Sequence, residues 1–215
     1  MIKAVIFDLD GTLVNAYPAV IRSVNYTLGV LGQPRRSDDE IIRSVGGGDG
    51  KLIAHFAGPK RALEALSIYR RHHAKALRLK GAVKLLPGAG PLLKYLKANG
   101  YKLAIASNRP TKFAQIILKV LGIGSLFDVV LCADRAPKPK PYPDMLWAIA
   151  ERLKLEKSQA LYVGDMTIDI QCGRRAGMRM VAVATGSSSK KELKDLKPYA
   201  IVDKISQIKT IGGLK

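Results

Sequence analysis

The chain opens on an apolar run, Ala4-Val5-Ile6-Phe7, cut off by two carboxylates one residue apart, Asp8 and Asp10, and then by Gly11 and Thr12. Such a run predicts a buried strand over residues 3–8. From Val14 the spacing changes. Tyr17, Val20, Ile21, Val24, Leu28 and Leu31 recur at intervals of three and four, the period of one helix face. Asn15 is the expected N-cap of this helix, and Gly32 with Pro34 closes it. Ser37 and Glu40 have the spacing of a capping box and open a second helix with Ile41, Ile42 and Val45, stopped by Gly46-Gly47-Gly48-Asp49-Gly50. A third helix is expected over 60–80, with Leu63, Leu66, Tyr69 and Leu77 roughly in period. Residues 14–82 thus read as almost wholly helical, with no strand.

From Pro87 the texture changes again. Helical patterns over 92–98, 112–121, 145–155, 168–176 and 190–196 alternate with short apolar runs over 103–107, 127–132, 160–163, 180–184 and 200–202. Alternation of this kind means βα units and a parallel sheet. The expected fold class is α/β. One parallel-sheet core domain covers 1–13 and 83–215, interrupted by an inserted all-helical domain over 14–82.

Composition narrows the reading. Hydrophobic residues make up 47% of the 215, enough for a sizeable core, and aromatics only 6%, so that core is aliphatic. Cys132 and Cys172 are the only cysteines; two make no disulfide framework and suit a reducing, cytoplasmic setting. The N-terminal apolar run is too short for a signal segment, and no run approaches the roughly 20 residues of a membrane span. The net charge is +19, from 36 Lys and Arg against 17 Asp and Glu. Such a balance attracts phosphate esters and polyanions, but it is spread out: residues 14–86 hold thirteen basic and five acidic residues. Without a basic stripe interleaved with aromatics, nucleic acid is not the expected partner.

Chemistry gathers at strand ends. Asp8 and Asp10 follow the first strand, Ser107-Asn108 ends a second, and Gly164-Asp165, with Asp169 four on, follows a third. Lys140 sits in a basic proline-rich turn before a helix. In an open parallel sheet these ends share the edge where ligands bind. Two neighbouring acids can divide labour, one attacking and one exchanging protons. Several clustered carboxylates repel one another, and a hard divalent cation, Mg²⁺, relieves this with oxygen ligands and a substrate phosphate. Lys140, Ser107 and the backbone N–H groups after Asp8 would then hold phosphoryl oxygens.

Asp8-Leu9-Asp10-Gly11-Thr12-Leu13, Ser107-Asn108, Lys140-Pro141-Tyr142-Pro143-Asp144 and Gly164-Asp165-Met166-Thr167-Ile168-Asp169 resemble, in order, the four motifs of the haloacid dehalogenase-like superfamily. The resemblance implies a Rossmann-like core with a helical cap after the first motif. Asp8 would be the nucleophile forming an aspartyl-phosphate. Asp10 would be the general acid/base, also giving Mg²⁺ its backbone carbonyl. Thr12 would support the loop beside the substrate phosphate, which Ser107, Asn108 and Lys140 would hold. Asp8, Asp10, Asp165 and Asp169 would form the metal set, Asp169 acting directly, through water or by holding Lys140. Dehalogenases that resemble this pattern lack the acid at the position of Asp10, so phosphoryl chemistry is favoured. The pattern is departed from in three places: Asn15-Ala16 stands where an Asp-Ser pair is common, Pro139 where glycine precedes the lysine, and Met166 where the residue is small.

The implied activity is a Mg²⁺-dependent phosphatase acting on small phosphorylated metabolites, phosphoglycolate first, as a monomer or homodimer. A phosphomutase resembling β-phosphoglucomutase shares every motif and is the nearest rival; a non-catalytic nucleic-acid-binding protein is a more distant one. The run Gly46 to Lys51 lacks the residues of a phosphate-binding Walker loop and reads as a loop between helices. A corresponding cap loop contacts substrate in similar proteins, which makes Arg43, Gly47 and Lys51 candidates for specificity. His55, His72 and His73 lack zinc-like spacing with the cysteines and read as surface or packing residues. Cys172 and Trp147 are expected in the interior.

Overall fold

Every residue of Ala4–Phe7 (β1) is buried, as in a strand covered on both faces. The computed structural model describes residues 1–212 and 214. After β1 come a two-residue strand Val14–Asn15 (β2) and the helices Tyr17–Val30 (α1), Asp38–Arg43 (α2), Asp49–Ala57 (α3) and Ala62–Ala76 (α4). A second short strand, Lys84–Leu85 (β3), returns the chain to the sheet. Then Ala89–Ala98 (α5), Lys102–Ser107 (β4), Thr111–Leu121 (α6), Val129–Cys132 (β5), Asp144–Arg152 (α7), Ala160–Gly164 (β6), Thr167–Ala176 (α8), Arg179–Val183 (β7), Lys190–Asp195 (α9) and Ala200–Val202 (β8) alternate.

Six strands form one sheet in the order β5-β4-β1-β6-β7-β8, and every pairing is parallel. The chain first builds outward on one side of β1 and then crosses to the other. The switch therefore falls at β1, where such sheets open a crevice beyond their strand ends. Side chains alternate between the two faces. Val5, Phe7, Leu103, Ile105, Leu161 and Val163 pack with Leu92, Leu93 and Phe113 on one side. Ile6, Ala104, Ala106 and Tyr162 pack with Met145, Ile149 and Ile170 on the other. The helical block has an apolar cluster of its own, in which Val24, Leu28, Ile41, Ile53, Phe56 and Tyr69 meet.

Several expectations are corrected. Residues 14–82 do include a strand: β2 pairs antiparallel with β3, Val14 opposite Leu85, so the insertion leaves and re-enters the core through a two-stranded neck. Two residues are too few to show any hydrophobic period. The glycine-rich run does not only stop α2; Asp49 and Gly50 begin α3. The 60–80 helix opens with a 3-10 turn and ends at Ala76. Ala16, not Asn15, is the N-cap of α1, while the Asn15 side chain accepts from the Tyr17 N–H at 3.1 Å. Trp147 is 43% exposed; its ring lies under the Lys157 ammonium, and its indole N–H donates to the Ala176 carbonyl, so it spans α7 and α8 at the surface.

Candidate active site

The parallel register carries Asp8, Ser107 and Asp165 to one edge of the sheet: Phe7 lies opposite Ile105 on β4 and Val163 on β6. The Asp8 N–H continues the ladder to the Val163 carbonyl at 2.8 Å, so its side chain leaves from the last paired position. Asp8, Asp10, Ser107, Asn108 and Lys140 line one cavity, together with Arg109 and residues of the helical block.

Lys140 is the electrostatic centre. Its ammonium donates to Asp8 Oδ1 at 2.6 Å, Asp169 Oδ1 at 2.8 Å and the Tyr162 hydroxyl at 3.2 Å, which uses all three of its donors. Burial works against the charged ammonium, but the Asp169 and Asp8 carboxylates outweigh it and hold its pKa above the ordinary lysine value. Burial, opposed by Lys140 and reinforced by Asp169, pushes Asp8 up to about 7. Burial, together with the charges of Asp8 and Asp169, raises Asp165 well above the carboxylate range.

Asp165 is the acid of this cluster with an oxygen free for a cation. Its Oδ1 accepts from the Thr12 hydroxyl at 2.7 Å, while its buried Oδ2 has no hydrogen-bond partner among the described residues. Oxygen atoms of Asp8, Asp165 and Asp169 lie within 4.8 Å of one another. Backbone crowds this group: a side chain at Gly11 or Gly186 would overlap the Asp165 carboxylate. Around the site four carboxylates face two cations, Lys140 and Arg109, leaving the charge that one divalent ion would balance. Three clustered hard oxygen donors with one unmet acceptor fit such an ion.

The other sequence candidates have distinct tasks. Thr12 is fully buried and turns its hydroxyl to Asp165 rather than to the open cavity. Asn108 is also engaged inward. Its Oδ1 accepts from the Lys140 N–H, and its Nδ2 donates to the Lys140 and Gly46 carbonyls. It therefore ties the lysine segment to the helical block and has no amide hydrogen left for substrate. Asp169 takes Lys140 and the Tyr162 hydroxyl on Oδ1 and the Met166 N–H on Oδ2, a lysine-holding arrangement. Ser107 is buried and accepts from the Arg109 N–H at 3.2 Å, keeping its own proton to donate. The Asp10 carboxylate stands outside the metal-competent cluster and meets Arg109 instead. Arg43, Gly47 and Lys51 are exposed and do not line the cavity; Val45, Gly46, Gly48, Asp49 and Leu52 do. The Cys172 thiol is buried, with its pKa pushed up to about 12 by that burial, and donates to the Tyr142 carbonyl, as a packing residue does.

The chain has relatives among known proteins. The model of the "Haloacid dehalogenase-like hydrolase" family matches residues 5–183. The chain belongs to the haloacid dehalogenase-like hydrolases. It is 32% identical over 219 residues to a phosphoglycolate phosphatase of Pasteurella multocida, with 97% of each chain covered. It is 30% identical to one of Haemophilus influenzae, again with 97% of each covered. Among solved structures, a protein of Haemophilus somnus described as a predicted phosphoglycolate phosphatase superposes with a TM-score of 0.87 at 30% identity, covering 98% of this chain and 97% of that one. A haloacid dehalogenase-like family protein of Streptococcus pneumoniae superposes with a TM-score of 0.87 at 28% identity, covering 97% of each.

Arg109, His73 and Tyr162 carry no mark in the linear pattern, yet all three touch the acid cluster or its partners. Only its place, directly after Ser107-Asn108 at an edge where four carboxylates face a single lysine, could have suggested Arg109. His73 had no such signal, since its neighbours are set by how α4 packs. No helix among the described residues is long and apolar enough to cross a membrane.

Proposed function

We propose that this hydrolase is a Mg²⁺-dependent phosphatase of small phosphomonoesters, phosphoglycolate first among them, working through an aspartyl-phosphate on Asp8. The observation that carries the reading is Asp8 itself, lining the cavity with one oxygen held at 2.6 Å by Lys140, in the same acid cluster as Asp165 with its unmet oxygen. With Oδ1 held, Oδ2 is the attacking atom. It forms a bond to phosphorus as the ester P–O bond breaks, and Asp10 gives the leaving oxygen its proton. Asp10 then takes a proton from water, whose oxygen attacks the same phosphorus; the acyl-phosphate bond breaks and orthophosphate departs. Lys140 and Ser107 would hold the phosphoryl oxygens as charge builds on them. Asp165 and Asp8, with Asp169 behind them, would hold Mg²⁺, which when bound offsets the repulsion between the attacking carboxylate and the phosphoryl group.

The core, residues 1–13 and 83–215, would carry this chemistry, and the helical block over 14–82 would be a cap that excludes water and chooses the leaving group. A separate apolar cluster and a two-stranded neck support that division. Two buried free thiols agree with work in the cytoplasm.

A phosphate-release screen over phosphorylated metabolites, with and without Mg²⁺, tests the reading. Hydrolysis of at least one monoester, abolished by a chelator and lowered on the order of 10⁴-fold in Asp8→Asn, is the expected result. Isomerised product without net phosphate would point to a mutase, and no turnover on any ester would sink the phosphatase reading.

A further inference from the structure

Arg109 sits between the two halves of the site. It lies in the loop between β4 and α6 with only 10% of its side chain exposed. Its Nε donates to Asp10 Oδ2 at 2.7 Å and its Nη2 to Asp10 Oδ1 at 2.8 Å. Its Nη1 lies 2.7 Å from His73 Nε2, on the helical block. His73 can only be the acceptor there. Burial and the neighbouring guanidinium hold its pKa down to about 2, and its Nδ1 faces the Ser23 hydroxyl at 3.1 Å, which donates on to the Ala19 carbonyl at 2.7 Å. The imidazole thus fixes the guanidinium plane from the cap side.

A guanidinium has five N–H groups. Three are engaged, leaving one on Nη1 and one on Nη2 with no partner among the described residues. Both free groups belong to the terminal nitrogens, the pair through which a guanidinium can take a carboxylate bidentately. Arg109 lines the same cavity as Asp8 and Asp10, with Tyr69 and Phe113 as apolar walls. The other carboxylate in that wall, Asp49, is already held by Arg70 through bonds of 2.7 and 3.1 Å. In the proposed reaction the leaving oxygen rests against Asp10, so whatever that oxygen bears lies next to Arg109.

We propose that Arg109 selects the leaving group, its free terminal N–H groups binding a carboxylate carried one carbon beyond the ester oxygen, with His73 as the residue that positions it. The inference rests on the phosphatase reading and deepens it: the substrate class becomes short phosphomonoesters with an anionic tail.

The test compares 2-phosphoglycolate with ethyl phosphate, which has a methyl group in place of the carboxylate, in the Mg²⁺-loaded wild type, Arg109→Gln and Arg109→Lys. The ratio of kcat/KM between the two esters is expected to fall tenfold or more in Arg109→Gln. Arg109→Lys, which keeps the charge and loses the fork, should recover only part of the ratio, and it keeps the test alive should the glutamine variant not fold. Equal losses on both esters would overturn the proposal, because Arg109 would then act only through Asp10. Calorimetric binding of both esters to Asp8→Asn, with and without Arg109→Lys, needs no turnover. A loss confined to phosphoglycolate supports the proposal and equal affinities refute it, even where the wild type hydrolyses neither ester and the phosphatase reading has itself failed.

Discussion

Residue by residue, the site works through second contacts as much as first ones. Thr12 donates to one oxygen of Asp165, while the other is buried without a hydrogen-bond partner among the described residues. Partners of metal ligands typically govern affinity by about 10–100-fold. Thr12→Val keeps the shape and removes the hydroxyl, so the Mg²⁺ concentration for half-maximal activity is expected to rise by about that factor, read from a magnesium titration of phosphate release. His73 yields a prediction about stability. Its ordinary pKa of 6.5 falls to about 2 in the fold, so between these values the unfolded chain binds a proton that the native chain does not. Stability from this group is therefore present above pH 6.5 and lost as pH falls. From pH 7 to pH 5 the loss is about 2 kcal/mol. Urea unfolding of the wild type and His73→Gln at both pH values should show that increment in the wild type and not in the variant.

At the scale of elements, strands and long helices were legible because their signals are local and repeated. The apolar runs of β1, β4 and β6 and the three-and-four spacing of α1 stand in the sequence and reappear in the fold. The β2–β3 neck did not stand out, because two residues per strand leave nothing periodic to read and their partner is about seventy residues away. The start of α3 was hidden by glycines that read as a breaker; Gly48 instead supplies a positive φ of 87° immediately before the helix. If the helical block is a cap with its own cooperative core, damage to that core should stay within it. Leu28 is 1% exposed and packs in the block's cluster, so Leu28→Ala is expected to cost about 2–5 kcal/mol there. Hydrogen exchange should quicken in α1, α3 and α4 and remain slow in β1 and β4. Equal acceleration in both would show a single unit.

For the whole molecule, the excess of 36 basic over 17 acidic residues surrounds a site that is itself rich in acids. A field of that sign speeds the approach of anionic esters and is screened by salt. Raising ionic strength from about 0.01 M to about 0.15 M shortens the screening length from about 30 Å to about 8 Å. We therefore expect kcat/KM for a phosphomonoester to fall several-fold over that range while kcat changes little, measured at saturating Mg²⁺. An unchanged kcat/KM would mean that the charge serves something other than substrate capture.

The sequence by itself determined the α/β alternation, the helical interruption after the first strand, and the four motifs, three at strand ends and one in the turn before a helix, that bring Asp8, Asp10, Lys140, Asp165 and Asp169 to one sheet edge. These rest on local periodicity and on the geometry that all parallel sheets share. Only the tertiary structure decided what those motifs touch. It turned Asn108 to the backbone of Lys140 and Gly46, gave Asp169 to Lys140 and Tyr162, left one oxygen of Asp165 unmet, and set Arg109 between Asp10 and His73. Such contacts join residues far apart in the chain, 99 positions in the case of Arg109 and Asp10. They depend on how the helical block seats over the sheet, for which no spacing along the chain is a code.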